Sequence, residues 1–147
     1  MHLSKSREEN PMNIGVSELQ GRIPVTVMQL QGDLDASNYK RLIDKAREVY
    51  STGVRALLLD MSEMPFMGSS GLVALHSIAV LLQGGTPPDP DTGWGALHAI
   101  DRERAAGLQK YVKLFNPQPR VDRVLRMAGF DQFFEIYTDL DVAIASF

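Results

Sequence analysis

The chain has 147 residues, 44% of them hydrophobic and 22% charged, with a net charge of -3 at pH 7. That length suits one domain of ordinary core size, and the weakly acidic balance offers no basic footprint to nucleic acid or to an anionic bilayer. The absence of cysteine excludes disulfides and thiolate metal sites and fits a reducing compartment.

Residues 1–11 are polar, carry Lys5, Arg7, Glu8 and Glu9, and read as a flexible tail. No apolar leader precedes a small-residue cleavage site, so the expected location is cytoplasmic. Asn13 to Leu19 alternates apolar and polar, Gln20-Gly21-Arg22 is turn-like, and Pro24 to Gln31 alternates again. Together they predict a hairpin with Pro24 at the first position of its second strand. Gly32-Asp33-Leu34-Asp35 ends that strand, and Asp35 or Ser37 is placed to cap a helix from Tyr39 to Tyr50. Leu42, Ile43, Ala46 and Val49 form its apolar face, and Ser51-Thr52-Gly53 stops it. Val54 to Asp60 is almost continuously apolar, as in a strand covered on both faces.

A loop of small residues, Phe66-Met67-Gly68-Ser69-Ser70-Gly71-Leu72, then leads into a helix reaching Leu82, with Leu72, Leu75, Ala79 and Leu82 in one stripe. The apolar stretch from Gly71 to Leu82 contains His76 and is too short to span a bilayer. Gly84 to Thr92 has strong loop chemistry, and Gly95 to Ala106 predicts a short polar helix. Leu108 to Phe115 reads as a strand. Pro119 opens a helix bearing Val121, Val124, Leu125 and Ala128, closed by Gly129. Phe133 to Tyr137 is the last predicted strand, and Asp139 caps a final helix through Val142, Ile144 and Ala145. This β-β-α-β-α-β-α-β-α order predicts an α/β fold, a mixed sheet of about five strands with helices packed on it.

Ser69 and Ser70 fall at a helix N-terminus, where free N–H groups and a partial positive charge suit an added phosphate. Taken alone, local chemistry favours an N-cap pair without regulation. A serine-hydrolase elbow would need glycine where Leu72 stands, and nothing places an oxyanion hole. Asp33 and Asp35 read either as a carboxylate pair for a metal or acid–base work, or as turn and capping chemistry. His2, His76 and His98 lack ligand spacing, and no P-loop is present. Val73, His76, Ser77 and Val80 lie off the core stripe, as ordinary exposed positions or as a docking patch beside Ser69. Trp94, the only tryptophan, is either an anchor for its long loop or a partner contact.

Three pieces in this order resemble the STAS domain of bacterial anti-sigma factor antagonists over residues 12–147. They are Gly32-Asp33-Leu34-Asp35, Phe66-Met67-Gly68-Ser69-Ser70-Gly71-Leu72, and Pro119 to Gly129 before the last strand. The resemblance implies a regulatory binding module without catalytic activity, cofactor or metal. In that family the loop reads Asp-Ser-Ser/Thr-Gly-Leu. Its first hydroxyl, Ser69 by position, accepts phosphate from an anti-sigma factor with serine kinase activity, and a PP2C-type phosphatase restores it. The unphosphorylated form sequesters the anti-sigma factor, and the phosphorylated form releases it. Asp33, Asp35, Gly68, Ser70, Gly71, Val73 and His76 are then the switch loop and partner surface. Such partner switching regulates transcription and involves neither nucleic-acid contact nor membrane insertion by this chain. Two departures stand out: Gly68 replaces the family aspartate, and residues 85–107 form a longer connection than usual. They keep two alternatives open, a never-phosphorylated scaffold subunit of a larger assembly (lipid transport or stress signalling) and a nucleotide or small-ligand sensor.

Overall fold

The computed structural model describes residues 12–87 and 108–147. The expected tail at 1–11, the polar helix at 95–106, Trp94, His2 and His98 lie outside those residues, as does most of the 85–107 connection. Strand β1 (Asn13–Gln20) pairs antiparallel with β2 (Pro24–Gln31), from Asn13 opposite Gln31 to Gln20 opposite Pro24. Helix α1 (Tyr39–Ser51) leads to β3 (Leu57–Glu63), and α2 (Ser69–Leu82) follows. Then come β4 (Val112–Phe115), α3 (Pro119–Met127), a 3-10 turn (Phe130–Gln132), β5 (Ile136–Tyr137) and α4 (Leu140–Ala145). The sheet runs β1-β2-β3-β4-β5, and β2 to β5 are mutually parallel, each joined to the next through a helix.

Period-two alternation divides the strands between two cores. Met28, Leu30, Leu57, Leu59 and Met61 point into the larger one, beneath Leu42, Ile43 and Ala46 of α1, Leu75 and Ile78 of α2, and Val121 and Leu125 of α3. Val25, Val27, Ala56 and Leu58 point the other way, onto Ala143 and Ile144 of α4. Among the described residues the opposite face is thus covered by one six-residue helix. Lys113 helps hold its end: buried on β4, the ammonium donates to the Ser146 carbonyl at 2.9 Å and to Ser146 Oγ at 3.1 Å. Glu135 supplies the counter-charge at 3.4 Å.

Three predicted elements differ in extent, each for a local reason. Strand β3 begins at Leu57 rather than Val54, because Arg55 holds the chain against the end of α1. Its guanidinium donates to the Val54 and Tyr50 carbonyls at 2.7 and 3.2 Å and lies 4.0 Å from the Tyr50 ring centre. Strand β4 begins at Val112 rather than Leu108, since the Gln109 N–H donates to the Phe133 carbonyl at 2.9 Å. Phe133 and Phe134 precede β5 instead of opening it. Both are buried, packed edge to face with ring centres 4.7 Å apart, whereas a strand would have sent them to opposite faces.

The largest departure is α2. Its sequence lacks a charged face, and the helix is buried nearly all round, including Ala74, Leu75, His76, Ser77, Ile78 and Ala79. His76 stacks on Phe133 with ring centres 6.0 Å apart, and neither of its ring nitrogens has a hydrogen-bond partner among the described residues. Burial therefore lowers its pKa from 6.5 to about 4. An unfolded chain takes up this proton near pH 6.5, but the folded one resists until about pH 4. Acid consequently favours unfolding, and the contribution is present in full above pH 6.5. After allowance for partial solvent screening, about 2 kcal/mol of stability should be lost through that window. Urea unfolding of wild type and His76→Phe at pH 7, 5.5 and 4.5 checks this: the variant should show a visibly flatter pH dependence.

Candidate functional site

The site begins with two loops that emerge from adjacent parallel strands. A one-residue parallel bridge joins Leu34, after β2, to Met67, after β3. The Leu34 N–H donates to the Phe66 carbonyl at 3.0 Å, and the Gly68 N–H donates to the Leu34 carbonyl at 2.9 Å. Leu34 itself is fully buried and forms a floor beneath the first turn of α2. Gly71 sits on that floor: a Cβ there would lie 2.5 Å from Met67 Cγ and 3.1 Å from the Leu34 side chain. Only a residue without a side chain lets the helix start this low.

Helix α2 is capped by Gly68, whose backbone is extended (φ -88°, ψ 178°), and no side chain caps it. The expected serine cap pair is therefore not formed. Ser69 and Ser70 occupy the first two helical positions, and neither hydroxyl bonds back to cap the N-terminus. Ser69 is exposed and Ser70 is half-buried. The Gly71 N–H is used by the Gly68 carbonyl at 2.9 Å, while the Ser69 and Ser70 N–H groups have no backbone acceptor among the described residues. Two donors without a backbone acceptor among the described residues thus lie at the positive end of a 14-residue helix, in the turn that carries Ser69.

Asp33 and Asp35 flank Leu34 and are carried to the same surface by the bridge. Neither of the expected caps, Asp35 or Ser37, caps α1, whose N-cap is Asn38. Asp35 instead closes a local turn: its carboxylate accepts from the Ser37 N–H at 2.9 Å and from Ser37 Oγ at 2.6 Å. Asn38 is buried and shapes the segment between the aspartates. Its amide donates to the Asp33 carbonyl at 2.8 Å, and its Oδ1 accepts from the Asp35 N–H at 3.0 Å. Asp33 remains exposed and Asp35 half-buried. Turn chemistry thus engages the Asp35 carboxylate, whereas Asp33 is held through its backbone carbonyl, and no group of three or more His, Asp or Glu able to hold a metal occurs among the described residues.

The bridge gathers Asp33, Asp35, Gly68, Ser69 and Ser70 on one surface. His76 and Ser77, expected in the docking patch, do not join them: they are 1% and 0% exposed, because the uncharged α2 is packed on nearly every side. Val73 and Val80 are half-buried, and Val73, one turn from Ser69, extends the surface. Two residues that the sequence reading passed over belong to it. Phe66 is 38% exposed, and the Arg120 guanidinium of α3 lies 5.7 Å from its ring centre. Gln118 anchors the start of α3 nearby, donating to the Ser62 carbonyl at 2.8 Å. An aromatic residue just before a glycine-serine loop was the available signal for Phe66; nothing in the sequence brought Arg120 to it.

Gly68 has no conformational need for glycine, since extended backbone admits any residue. A Cβ added there would meet only the Phe66 ring at 3.6 Å and Asp35 Cα at 4.0 Å, which is ordinary contact.

Residues 17–85 match the family model of the STAS domain. No curated protein sequence matches the chain. Among solved structures, an anti-sigma factor antagonist from Mycobacterium paratuberculosis is similar with a TM-score of 0.65 and 20% identity, over 93% of this chain and 94% of that one. A Thermotoga maritima protein provisionally described as an anti-sigma factor antagonist follows with a TM-score of 0.62 and 17% identity, over 89% and 91% of the two chains. A Shewanella loihica protein with a SpoIIAA-like fold has a TM-score of 0.50 and 14% identity, over 92% and 93%. The expected mixed sheet with packed helices is therefore the STAS fold.

The fit of Gly71 over Leu34 is directly testable. Gly71→Val should cost about 1–3 kcal/mol in urea unfolding, through overpacking against Leu34 and Met67. It should also speed hydrogen exchange at the Gly68 amide, the bond that ties the two loops.

Proposed function

Taking the STAS fold as the premise, we propose that the chain is a regulatory binding module, an anti-sigma factor antagonist whose Ser69 surface closes on an anti-sigma factor with serine kinase activity. Phosphorylation of Ser69 opens that contact, and a PP2C-type phosphatase restores it, so the protein regulates transcription in a bacterial cytoplasm by exchanging partners. It performs no chemistry of its own, and ATP belongs to the partner.

The observation that carries this reading is the position of Ser69. It is exposed at the first helical position, beside two N–H groups that have no backbone acceptor among the described residues, on a surface shared with Asp33, Asp35 and Phe66. A phosphate there adds about -1.5 to -2 charge. The helix N-terminus accommodates that anion within this protein. A partner shaped to a neutral serine, however, meets bulk, like charge from any acidic group it carries, and a desolvation penalty at the centre of its contact. The switch is local and requires no refolding of the domain.

Gly68 supports a second reading, a STAS scaffold that binds its partner constitutively. If a carboxylate at this position orients the accepting hydroxyl, its absence leaves Ser69 a poor acceptor. The site has room for that carboxylate, so the two readings can be separated by one substitution. Gly68→Asp should add an N-cap and stabilise the fold by up to about 1 kcal/mol. On the phosphate-gated reading it should also speed phosphorylation of Ser69 by the cognate kinase. An unchanged, negligible rate in both proteins favours the scaffold.

Calorimetric titration with the purified anti-sigma factor tests the gate itself. Ser69→Ala should bind like wild type, and Ser69→Asp should bind about tenfold more weakly or worse, roughly 1.4 kcal/mol. Equal affinities for wild type and Ser69→Asp would count against a phosphate-gated contact.

A further inference from the structure

The two edges of the sheet are unlike. β5 is only two residues long, whereas β1 presents eight, and β1 pairs with β2 alone among the described residues. The direction of its free groups follows from one hydrogen bond. The Thr26 N–H donates to the Ala56 carbonyl at 2.9 Å, so Thr26 faces β3. By alternation, Val25, Val27, Gln29 and Gln31 face β1 and hold their partners Leu19, Ser17, Gly15 and Asn13. The N–H and C=O groups of Ile14, Val16, Glu18 and Gln20 are therefore directed outward along an edge that no described residue pairs.

Such an edge is normally blunted by lysine, proline, a bulge or a covering segment. Here β1 contains neither lysine nor proline and pairs with β2 in unbroken register, and every residue in it except half-buried Ile14 is exposed. Its one charge, Glu18, is already bonded by the Gln20 side-chain amide at 3.2 Å.

We propose that this edge is a homodimer seam, at which β1 of a second copy adds antiparallel across a two-fold axis and joins the two sheets. The outward residues fix the pairing to even-numbered partners. With Ser17 on the axis, Ile14 pairs with Gln20 of the other copy and Val16 with Glu18, so all four outward residues on each side are used. Glu18 then lies opposite an apolar residue, whereas a register centred on Glu18 would set two carboxylates face to face. Val16, 46% exposed in the single chain, gains cover. Lys45, paired with Glu48 at 2.9 Å, lines the groove that Val16 also lines, and in the seam it shares its charge with the incoming Glu18. This seam is on the opposite side of β2 from the strand that leads to Ser69, so it leaves the Ser69 surface free.

The natural absence of cysteine makes a one-cysteine probe unambiguous. On the two-fold axis, Ser17 forms a non-hydrogen-bonded pair with its own copy, the closest side-chain approach in an antiparallel ladder. Mild oxidation of full-length Ser17→Cys should convert most of it to a covalent dimer, while Thr138→Cys, exposed and away from β1, should convert little. In sedimentation velocity the wild type should shift from monomer toward dimer as concentration rises. Val16→Lys, which blunts the edge without taking a bond from β2, should remain monomeric with an unchanged melting curve. A wild type that stays monomeric throughout would overturn the proposal, as would Ser17→Cys oxidising no faster than Thr138→Cys. A dimer untouched by Val16→Lys, or an edge occupied only by a different protein, would overturn it as well.

Discussion

Two backbone hydrogen bonds hold the candidate site together: Leu34 N–H to the Phe66 carbonyl, and Gly68 N–H to the Leu34 carbonyl. They extend the parallel pairing of β2 and β3 by one step after the strands have ended. Without them the two loops would be separate, and the aspartates of one would have no fixed relation to the serines of the other. The buried Leu34 side chain adds a second constraint, since α2 rests on it through Gly71. The height of the helix, the exposure of Ser69 and the position of Asp35 beside Gly68 all follow from this junction.

The helix that carries Ser69 is itself held rigidly by burial. Because α2 is covered on nearly every side, its first turn is the part that reaches solvent. This geometry suits a switch that changes charge and leaves shape alone: a phosphate at Ser69 alters the surface while the helix below stays packed. Burial also has a cost. His76 and Ser77 carry polar atoms into the core without hydrogen-bond partners among the described residues, a penalty that the packing around them must offset. That same enclosure makes the imidazole harder to protonate.

Much of this architecture was legible in the sequence because its signals are short-range. Period-two alternation marked β1 and β2, Pro24 and Pro119 marked the starts of a strand and a helix, and Asp139 caps α4 through the Val142 N–H at 3.1 Å as its position suggested. What escaped depended on contacts between distant segments. The burial of His76 depends on packing against Phe133, which lies in a different part of the chain. The short β4 and β5 reflect a Gln109–Phe133 bond and a cluster of phenylalanines that periodicity alone cannot distinguish from a strand. At the site, the Ser69–Ser70 pair and the aspartates Asp33 and Asp35 stood out in the local pattern, while Gly68 and the choice of Ser69 came from the family resemblance. Arg120 could not, because the chain comes back to Phe66 only through the fold.

The central claim is that Ser69 is the point at which a phosphate controls partner choice. Site-mapped mass spectrometry of the protein taken from its own cells, across growth and stress conditions and with phosphatase activity blocked, tests it most directly. The account predicts phosphate on Ser69 with an occupancy that changes with condition. Ser69 unmodified in every condition, with the phosphatase inhibited, would contradict it and leave a constitutive scaffold, with Gly68 as the residue that made it so.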